Sequence, residues 1–171
     1  MRPNWFPILV SSLAIGLLGA CQTPTPEDQG EPHLTGGTDV ERGRYLVIIG
    51  GCNDCHTDGY LQTEGDVPEE QWLLGSPMGW RGPWGTTFPP NLRLGVQGLT
   101  EDQWVSLLHI RTALPPMPWM NINQMAESDA RVVYRYIISL GAAGEVMPSP
   151  LPPDVEPTTP YLSMAPVVPG V

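Results

Sequence analysis

The chain contains no lysine. Its basic residues other than histidine are eight arginines, against 18 acidic residues, so the formal net charge is −10 over 171 residues. Binding to nucleic acid needs a basic stripe and docking to anionic lipid needs basic clusters, so the composition argues against both. A partner attracted by charge is expected to present a basic face. The alternative is that the acidity serves only solubility.

Cysteine and histidine are scarce, with three of each. Exported proteins usually pair cysteines in disulfides, but Cys21, Cys52 and Cys55 each lie in a motif with another role. A zinc site would need two ligands beyond a single C-x-x-C, and no second C-x-x-C or histidine pair is present. The histidines outside the motif, His33 and His109, stand alone in the sequence.

Proline and glycine are plentiful, at 21 and 19 residues, but unevenly placed. Prolines are concentrated in residues 21–38 and from residue 147 onward, whereas residues 39–144 carry the apolar periodicity. The sequence therefore predicts one domain over residues 39–144, between a flexible tether at 21–38 and a proline-rich tail at 145–171. The tail is expected to be extended or disordered chain. The alternative is a strap that wraps a partner or its own domain.

The first twenty residues have the pattern of a secretory signal. Arg2 precedes the apolar run Trp5–Leu18, which is too short to span a bilayer comfortably. The run ends in residues 18–21, LGAC, which resemble the lipobox of bacterial lipoproteins, where the cysteine is lipidated and begins the mature chain. The resemblance implies a lipid anchor on Cys21 and a location on the periplasmic side of a membrane, with the outer membrane favoured because Gln22 follows. The alternative is an ordinary signal with an incidental cysteine.

Residues 52–56 read CNDCH, the C-x-x-C-H pattern of covalent haem attachment. Two thiols at this spacing reach the two vinyl groups on one edge of a porphyrin, and the adjacent histidine lies under the iron. Thioether bonds keep the haem from being lost outside the cytoplasm. The sequence therefore predicts one covalent haem c, attached through Cys52 and Cys55, with His56 as an iron ligand.

A thioredoxin-like dithiol is the next interpretation of the two cysteines. Such a motif opens a helix after a strand in a βαβ setting. Here the motif follows a predicted helix, and no βαβ alternation is present, so the sequence favours haem.

Local signals predict three helices. A Thr followed three residues later by Glu or Gln forms a capping box at a helix start, and glycine commonly ends a helix. The predicted helices are Asp39–Ile49, capped by Thr38 and Glu41; a central helix after Thr100 and Gln103; and a final helix capped by Ser128, running to about Leu140 with Gly141 as its C′ residue.

This order of elements resembles the class I, single-haem cytochromes c over about residues 40–140. The resemblance implies an all-α fold of three to four helices around one haem, with Gly43 of the first helix crossing the last helix at Tyr134 or Tyr136. Four segments of the sequence are more similar still to cytochromes and cytochrome subunits that accept electrons from periplasmic alcohol and aldehyde dehydrogenases. The segments that carry this likeness are 43–46 (GRYL), 51–57 (GCNDCHT), 85–86 with 90–92 (GT and PNL) and 111–119 (RTALPPMPW).

A cytochrome that only transfers electrons needs both axial positions of its iron filled. Met117 is the best candidate for the sixth ligand, because Pro116 and Pro118 hold its loop extended and a thioether favours Fe(II). The rivals are Met120 in the same loop and Met78 in a glycine-bounded turn.

Other residues are predicted around the haem on weaker grounds. The other ring nitrogen of His56 is expected to bond a backbone carbonyl after the motif. Arg93 and Arg111 are candidates to neutralise haem propionates, and each is equally a candidate surface charge. The indoles of Trp80, Trp84, Trp104 and Trp119 either line the haem pocket and donate N–H bonds or simply fill the core.

These features predict a membrane-tethered one-electron carrier between a periplasmic donor and an acceptor, not an enzyme. A close variant is the electron-accepting cytochrome subunit of a periplasmic dehydrogenase. The alternative of another class is a haem enzyme or gas sensor with an open sixth position, although the sequence shows no acid–base pair or nucleophile constellation.

Overall fold

The computed structural model describes residues 34–169. The predicted signal, Cys21 and all but the last five residues of the tether lie outside the described residues. None of the helices in the described chain is long and apolar enough to cross a membrane. The elements are α1 (Asp39–Ile49), α2 (Cys52–His56), a 3₁₀ turn (Glu69–Gln71), β1 (Gly79–Gly82), β2 (Gly85–Thr87), α3 (Leu92–Gly95), α4 (Glu101–Ile110), α5 (Trp119–Ile122), α6 (Glu127–Ser139) and β3 (Tyr161–Ser163).

Helices α1 and α6 pack closely across one glycine. The predicted capping box at the start of α1 is confirmed: Glu41 N–H donates to the Thr38 hydroxyl at 3.3 Å, and Thr38 N–H donates to the Glu41 carboxylate at 2.8 Å. A Cβ on Gly43 would lie 2.0 Å from the Val132 carbonyl oxygen and 2.7 Å from Cβ of Tyr136. The crossing predicted at Gly43 is therefore confirmed, with Tyr136 as its partner.

Helix α4 places its apolar face against α6. The capping box of Thr100 and Gln103 is confirmed, and Trp104 and Leu108 are buried in the core cluster. Trp104 donates its indole N–H to the Ala130 carbonyl at 3.0 Å, so its polar atom is satisfied within the core.

The start of α6 differs from the prediction. Ser128 was expected to cap this helix, but the N-cap is Ala126, and Ser128 lies in the first turn. The Ala126 carbonyl already accepts the first helical bond from Ala130 N–H at 2.9 Å, which fixes the start two residues earlier. The predicted C′ glycine is confirmed, because Gly141 has φ of +71° directly after Leu140.

A three-stranded sheet in the order β2–β1–β3 accompanies the helices. β1 and β2 form an antiparallel hairpin with Trp80 opposite Thr87, and β3 pairs with β1 in parallel. The all-α expectation included no such sheet, since this hairpin is short and glycine-rich and carries no alternating apolar pattern. The described chain is therefore mixed, with its helices and one small sheet.

Residues 147–164 form a C-terminal strap that binds the hairpin along both edges. Leu151 exchanges two backbone hydrogen bonds with Thr86 of β2, at 2.9 and 2.8 Å, before β3 reaches the other side of β1. Arg81 donates to the carbonyls of Val155 at 2.7 Å and Pro153 at 3.2 Å. The strap alternative is therefore confirmed for the chain's own domain. The predicted boundary at residue 144 stays a prediction, and contacts cross it.

Candidate haem site

The C-x-x-C-H residues occupy one short helix, α2, directly after α1. Gly51 has φ of +65°, a left-handed conformation that turns the chain between the two helices. Cys52 packs against the core cluster, and His56 is 6% exposed. Both cysteines are free thiols. One turn of helix therefore presents the two thiols and the imidazole together.

The His56 ring is oriented by a backbone carbonyl, as the sequence predicts. Nδ1 of His56 donates to the Pro90 carbonyl oxygen at 2.8 Å. A carbonyl only accepts, so the proton lies on Nδ1 and the lone pair on Nε2. Burial lowers the pKa of His56, and the bond to Pro90 partly opposes this. The ring is therefore neutral near pH 7, in the form that ligates a metal.

The carbonyl that orients His56 is itself held in place by the next residue. Asn91 caps α3 by accepting from Leu94 N–H at 3.0 Å. Its amide donates to the carbonyls of Ala143 at 2.8 Å and Glu145 at 3.2 Å. The segment between α6 and the strap therefore holds Asn91, and through it the Pro90 carbonyl that orients His56.

A buried chain of hydrogen bonds joins α2 to the following loop, and no sequence pattern indicates its partners. Leu73 N–H donates to the Thr57 hydroxyl at 2.8 Å, and that hydroxyl donates to Oδ1 of Asn53 at 2.8 Å. The peptide of His56 is held too, since Gly75 N–H donates to the His56 carbonyl at 2.7 Å. The motif is thus fixed by its backbone and its spacer residue.

The environment of the cysteines differs from that of a reactive dithiol. Burial raises the pKa of Cys52 to about 11 and also raises the pKa of Cys55, whose thiol lies near the Asp54 carboxylate. A thioredoxin-like motif needs a lowered pKa on its attacking thiol. Among residues 34–169, no group of three or more His, Cys, Asp or Glu side chains is placed to hold a metal ion.

The three candidate methionines lie in different settings. Met117 is half-buried in the loop between α4 and α5. That loop is tied to the hairpin by Thr87, whose hydroxyl donates to the Pro115 carbonyl at 2.7 Å. Met120 is 73% exposed, which disfavours it as a ligand. Met78 lines a cavity of about 20 Å³ beside Cys55. The ligand role of Met117 stays a prediction.

Arg93 and His109 both bind backbone carbonyls of the protein. Arg93 is buried and donates to the carbonyls of Glu70 at 2.8 Å and Gly141 at 2.6 Å, and also to that of Leu140. Its guanidinium therefore ties the end of α6 to the 3₁₀ turn. His109 bonds the Met125 carbonyl at 3.0 Å and is a packed histidine.

Three buried N–H donors of the described chain lack an acceptor where the sequence predicts a haem environment. They are Nδ2 of Asn53, within the attachment motif, and the indole Nε1 atoms of Trp84 and Trp119. Buried donors without partners are rare in folded proteins, and a group with acceptor oxygens would satisfy them. The thiols, the neutral imidazole and these donors together fit a covalently attached haem with its propionates.

One comparison with known proteins finds a similar cytochrome subunit. No protein-family model matches the chain, and no solved structure matches it. The chain is similar to the fructose dehydrogenase cytochrome subunit of Gluconobacter japonicus, with 29% identity over 122 residues. The match covers 68% of this chain and 23% of that subunit, so the chain spans less than a quarter of its curated relative.

Proposed function

We propose that this chain is a c-type cytochrome that carries single electrons through one covalently attached haem c. The observation that carries the proposal is helix α2, which presents Cys52, Cys55 and a His56 whose Nε2 is left free by the bond to Pro90. The similarity to a cytochrome subunit supports an electron-transfer role rather than a catalytic one. Haem, when bound, supplies an iron centre that gains and loses one electron.

Each residue of the site has a defined task in this proposal. Cys52 and Cys55 would hold the haem through two thioethers, and His56 would bind the iron through Nε2 while Pro90 holds the ring orientation. Met117 would be the other protein ligand of the iron, and its thioether would raise the reduction potential. The domain around them is a cytochrome c domain with an added strap.

The first experiment is the visible spectrum of the protein matured in a host that attaches haem c. A low-spin reduced spectrum, with the weak red band of methionine-to-Fe(III) ligation when oxidised, supports the proposal. A high-spin spectrum that changes on adding carbon monoxide would replace it with an enzyme or gas sensor. A chain that carries no covalent haem would remove both functions.

Met117→Leu and Met120→Leu are matched variants in the same loop. Met117→Leu should abolish the red band, because leucine has no lone pair for iron. Met120→Leu should leave the band unchanged, because the Met120 side chain is largely exposed. Loss of the band in Met120→Leu alone would transfer the ligand role to Met120.

Membrane tethering through an acylated Cys21 is the second part of the proposal, supported by the lipobox resemblance. The protein would then face the periplasm, with the outer membrane favoured. Cys21→Ser should move the cytochrome from the membrane fraction to the soluble fraction without changing its spectrum. A variant that stays with the membrane would show that another feature anchors the chain.

A dehydrogenase is the electron donor favoured by the comparison. The matched relative is by name the cytochrome subunit of a fructose dehydrogenase, so a subunit role for this chain is the second candidate function. Purification under mild conditions should bring down a larger redox enzyme in fixed proportion if the chain is a dedicated subunit. Purification as a free cytochrome that any donor reduces would favour the independent carrier.

A further inference from the structure

Three arginines of the described chain stack over aromatic rings. A guanidinium that stacks on a ring still has N–H donors at its edge, and an indole or phenol ring has its own N–H or O–H donor. Both members of such a pair therefore usually bind hydrogen-bond acceptors. The pairs are Arg44 over Trp72, Arg81 over Tyr161 and Arg111 over Trp119, with the guanidinium carbon 5.0, 5.6 and 5.3 Å from the ring centroid.

The Arg44 pair has acceptors for both of its members. Arg44 Nε donates to the two carboxylate oxygens of Glu69 at 3.1 and 3.0 Å. Trp72 donates its indole N–H to the Val67 carbonyl at 2.8 Å. Both members of this pair therefore have an acceptor within the described chain.

The Arg81 pair is completed by one carboxylate. Glu156 accepts from Arg81 at 3.0 Å and from the Tyr161 hydroxyl at 2.7 Å. The same side chain therefore satisfies the cation and the phenol together.

The Arg111 pair lacks both kinds of partner within residues 34–169. Its guanidinium makes no hydrogen bond or ion pair there, although the sequence has 18 acidic residues for eight arginines. The indole Nε1 of Trp119 is buried without an acceptor. The Arg111 guanidinium and the indole N–H beneath it therefore both lack the acceptors that the other two pairs have.

The position of this pair defines the kind of anion it would bind. Trp119 packs against the core, and its backbone N–H donates to the carbonyl of Met117 at 2.9 Å. The backbone of Arg111 is tied to the same region, since its carbonyl accepts from Asn123 Nδ2 at 3.2 Å. A planar carboxylate with two oxygens fits a guanidinium and an indole N–H together.

We infer that Arg111 and Trp119 form a carboxylate site that holds one haem propionate beside the Met117 loop. This inference rests on the proposed function, which supplies the haem. The exposed guanidinium closes the outer side of the site, and the buried indole N–H closes the inner side. Arg93 takes no part, because backbone carbonyls occupy its guanidinium.

The test compares Arg111→Gln with Arg44→Gln, which each remove one stacked cation. The readouts are the midpoint potential of the purified haem protein and the NMR resonances of its propionate methylenes. Arg111→Gln should lower the potential and shift one propionate's resonances, because a cation near the haem favours the reduced form. Arg44→Gln should leave those resonances unchanged.

Two further variants keep the inference testable if Arg111→Gln fails to mature. Trp119→Phe, which keeps the ring and removes the N–H, should shift the same resonances, and Arg111→Lys should restore most of the potential. Unchanged propionate resonances in both Trp119→Phe and Arg111→Gln would overturn the site. A wild-type protein without covalent haem would instead contradict the proposed function, so the two failures are distinguishable.

Discussion

Two contacts in this molecule bring backbones together at a glycine, and they are held by different forces. At the α1–α6 crossing, a Cβ on Gly43 would lie 2.0 Å from the Val132 carbonyl oxygen. At the hairpin and strap, a Cβ on Gly85 would lie 2.1 Å from the Leu151 carbonyl oxygen. The steric demand is the same in both places, but the surroundings are not.

The helix crossing is surrounded by buried apolar side chains, with Val47 and Tyr136 both at most 1% exposed. The strap instead exposes Tyr161, Leu162 and Met164 by 39, 45 and 41%. Apolar burial is lost as a unit when a core opens, whereas directional bonds at a surface open locally. The crossing should therefore determine global stability, and the strap should form a separate unit of lower stability.

Gly43→Ala should have the largest effect. Replacing glycine by alanine inside a helix normally stabilises the protein by up to about 1 kcal/mol. At position 43, however, the added methyl group must push α1 away from α6. We expect a loss of about 3 kcal/mol or more in the free energy of unfolding, measured by urea denaturation. Gly95→Ala is the control, because that helical site has nothing within 4 Å of its Cβ, and it should be neutral or stabilising. Equal effects in both variants would mean that the crossing is not tightly packed.

Gly85→Ala should release the strap without unfolding the helices. Its φ of +102° and the Leu151 carbonyl both oppose a side chain, so we expect a loss of about 1–2 kcal/mol. Hydrogen exchange should quicken at the amides of Leu151 and Thr86 while those of α6 stay protected. Gly98→Ala has a similar φ of +78° but open space around its Cβ, so it separates backbone strain from the clash. Faster exchange throughout α6 in Gly85→Ala would contradict local release.

Arg81→Gln should loosen the strap by a smaller amount. The change removes hydrogen bonds to Val155 and Pro153 and the ion pair with Glu156, at an expected cost of about 1 kcal/mol. Limited proteolysis should cut the strap faster, and Tyr161→Phe, which loses only its bond to Glu156, should be cut at nearly the wild-type rate. Unchanged proteolysis in Arg81→Gln would assign the strap's attachment to its backbone pairing alone.

Arg135→Gln should have the smallest effect, because its ion pairs with Glu101 and Asp39 lie near the surface. The Arg135 guanidinium lowers the pKa of Glu101 below its ordinary value near 4.5. The stabilisation from this pair is therefore present above that value and is lost as the pH falls through the lower pKa of the folded state. The difference in melting temperature between wild type and variant should shrink toward pH 3 and in about 1 M salt. A difference that persists under both conditions would point to packing by the Arg135 side chain.

The helices were the more predictable half, because their signals are local. The capping boxes at Thr38 and Thr100 and the stop at Gly141 each depend on residues within a few positions. Ser128 shows where local signals fail. Serine is a good capping residue, but α6 begins earlier, because the chain is extended at Ala126 and this residue is the N-cap. Capping preference sets a boundary only when tertiary packing leaves the choice open.

The candidate site was predictable in its residue types but not in its long-range partners. The C-x-x-C-H spacing indicates the thiols and the histidine, and a carbonyl partner for His56 follows from its chemistry. That the carbonyl belongs to Pro90, 34 positions away, depends on the fold. The burial of Arg93 was equally hidden, because the carbonyls at the end of α6 that it binds leave no mark in the sequence.

The strap also sets an order of events during folding. Residues 147–164 follow every helix of the described chain, so the strap is made after all of them. A chain that emerges from its amino end presents Cys52 and Cys55 long before residues 147–164 exist. If haem c is attached as proposed, we expect its attachment to act on an open domain, to which the strap binds afterwards.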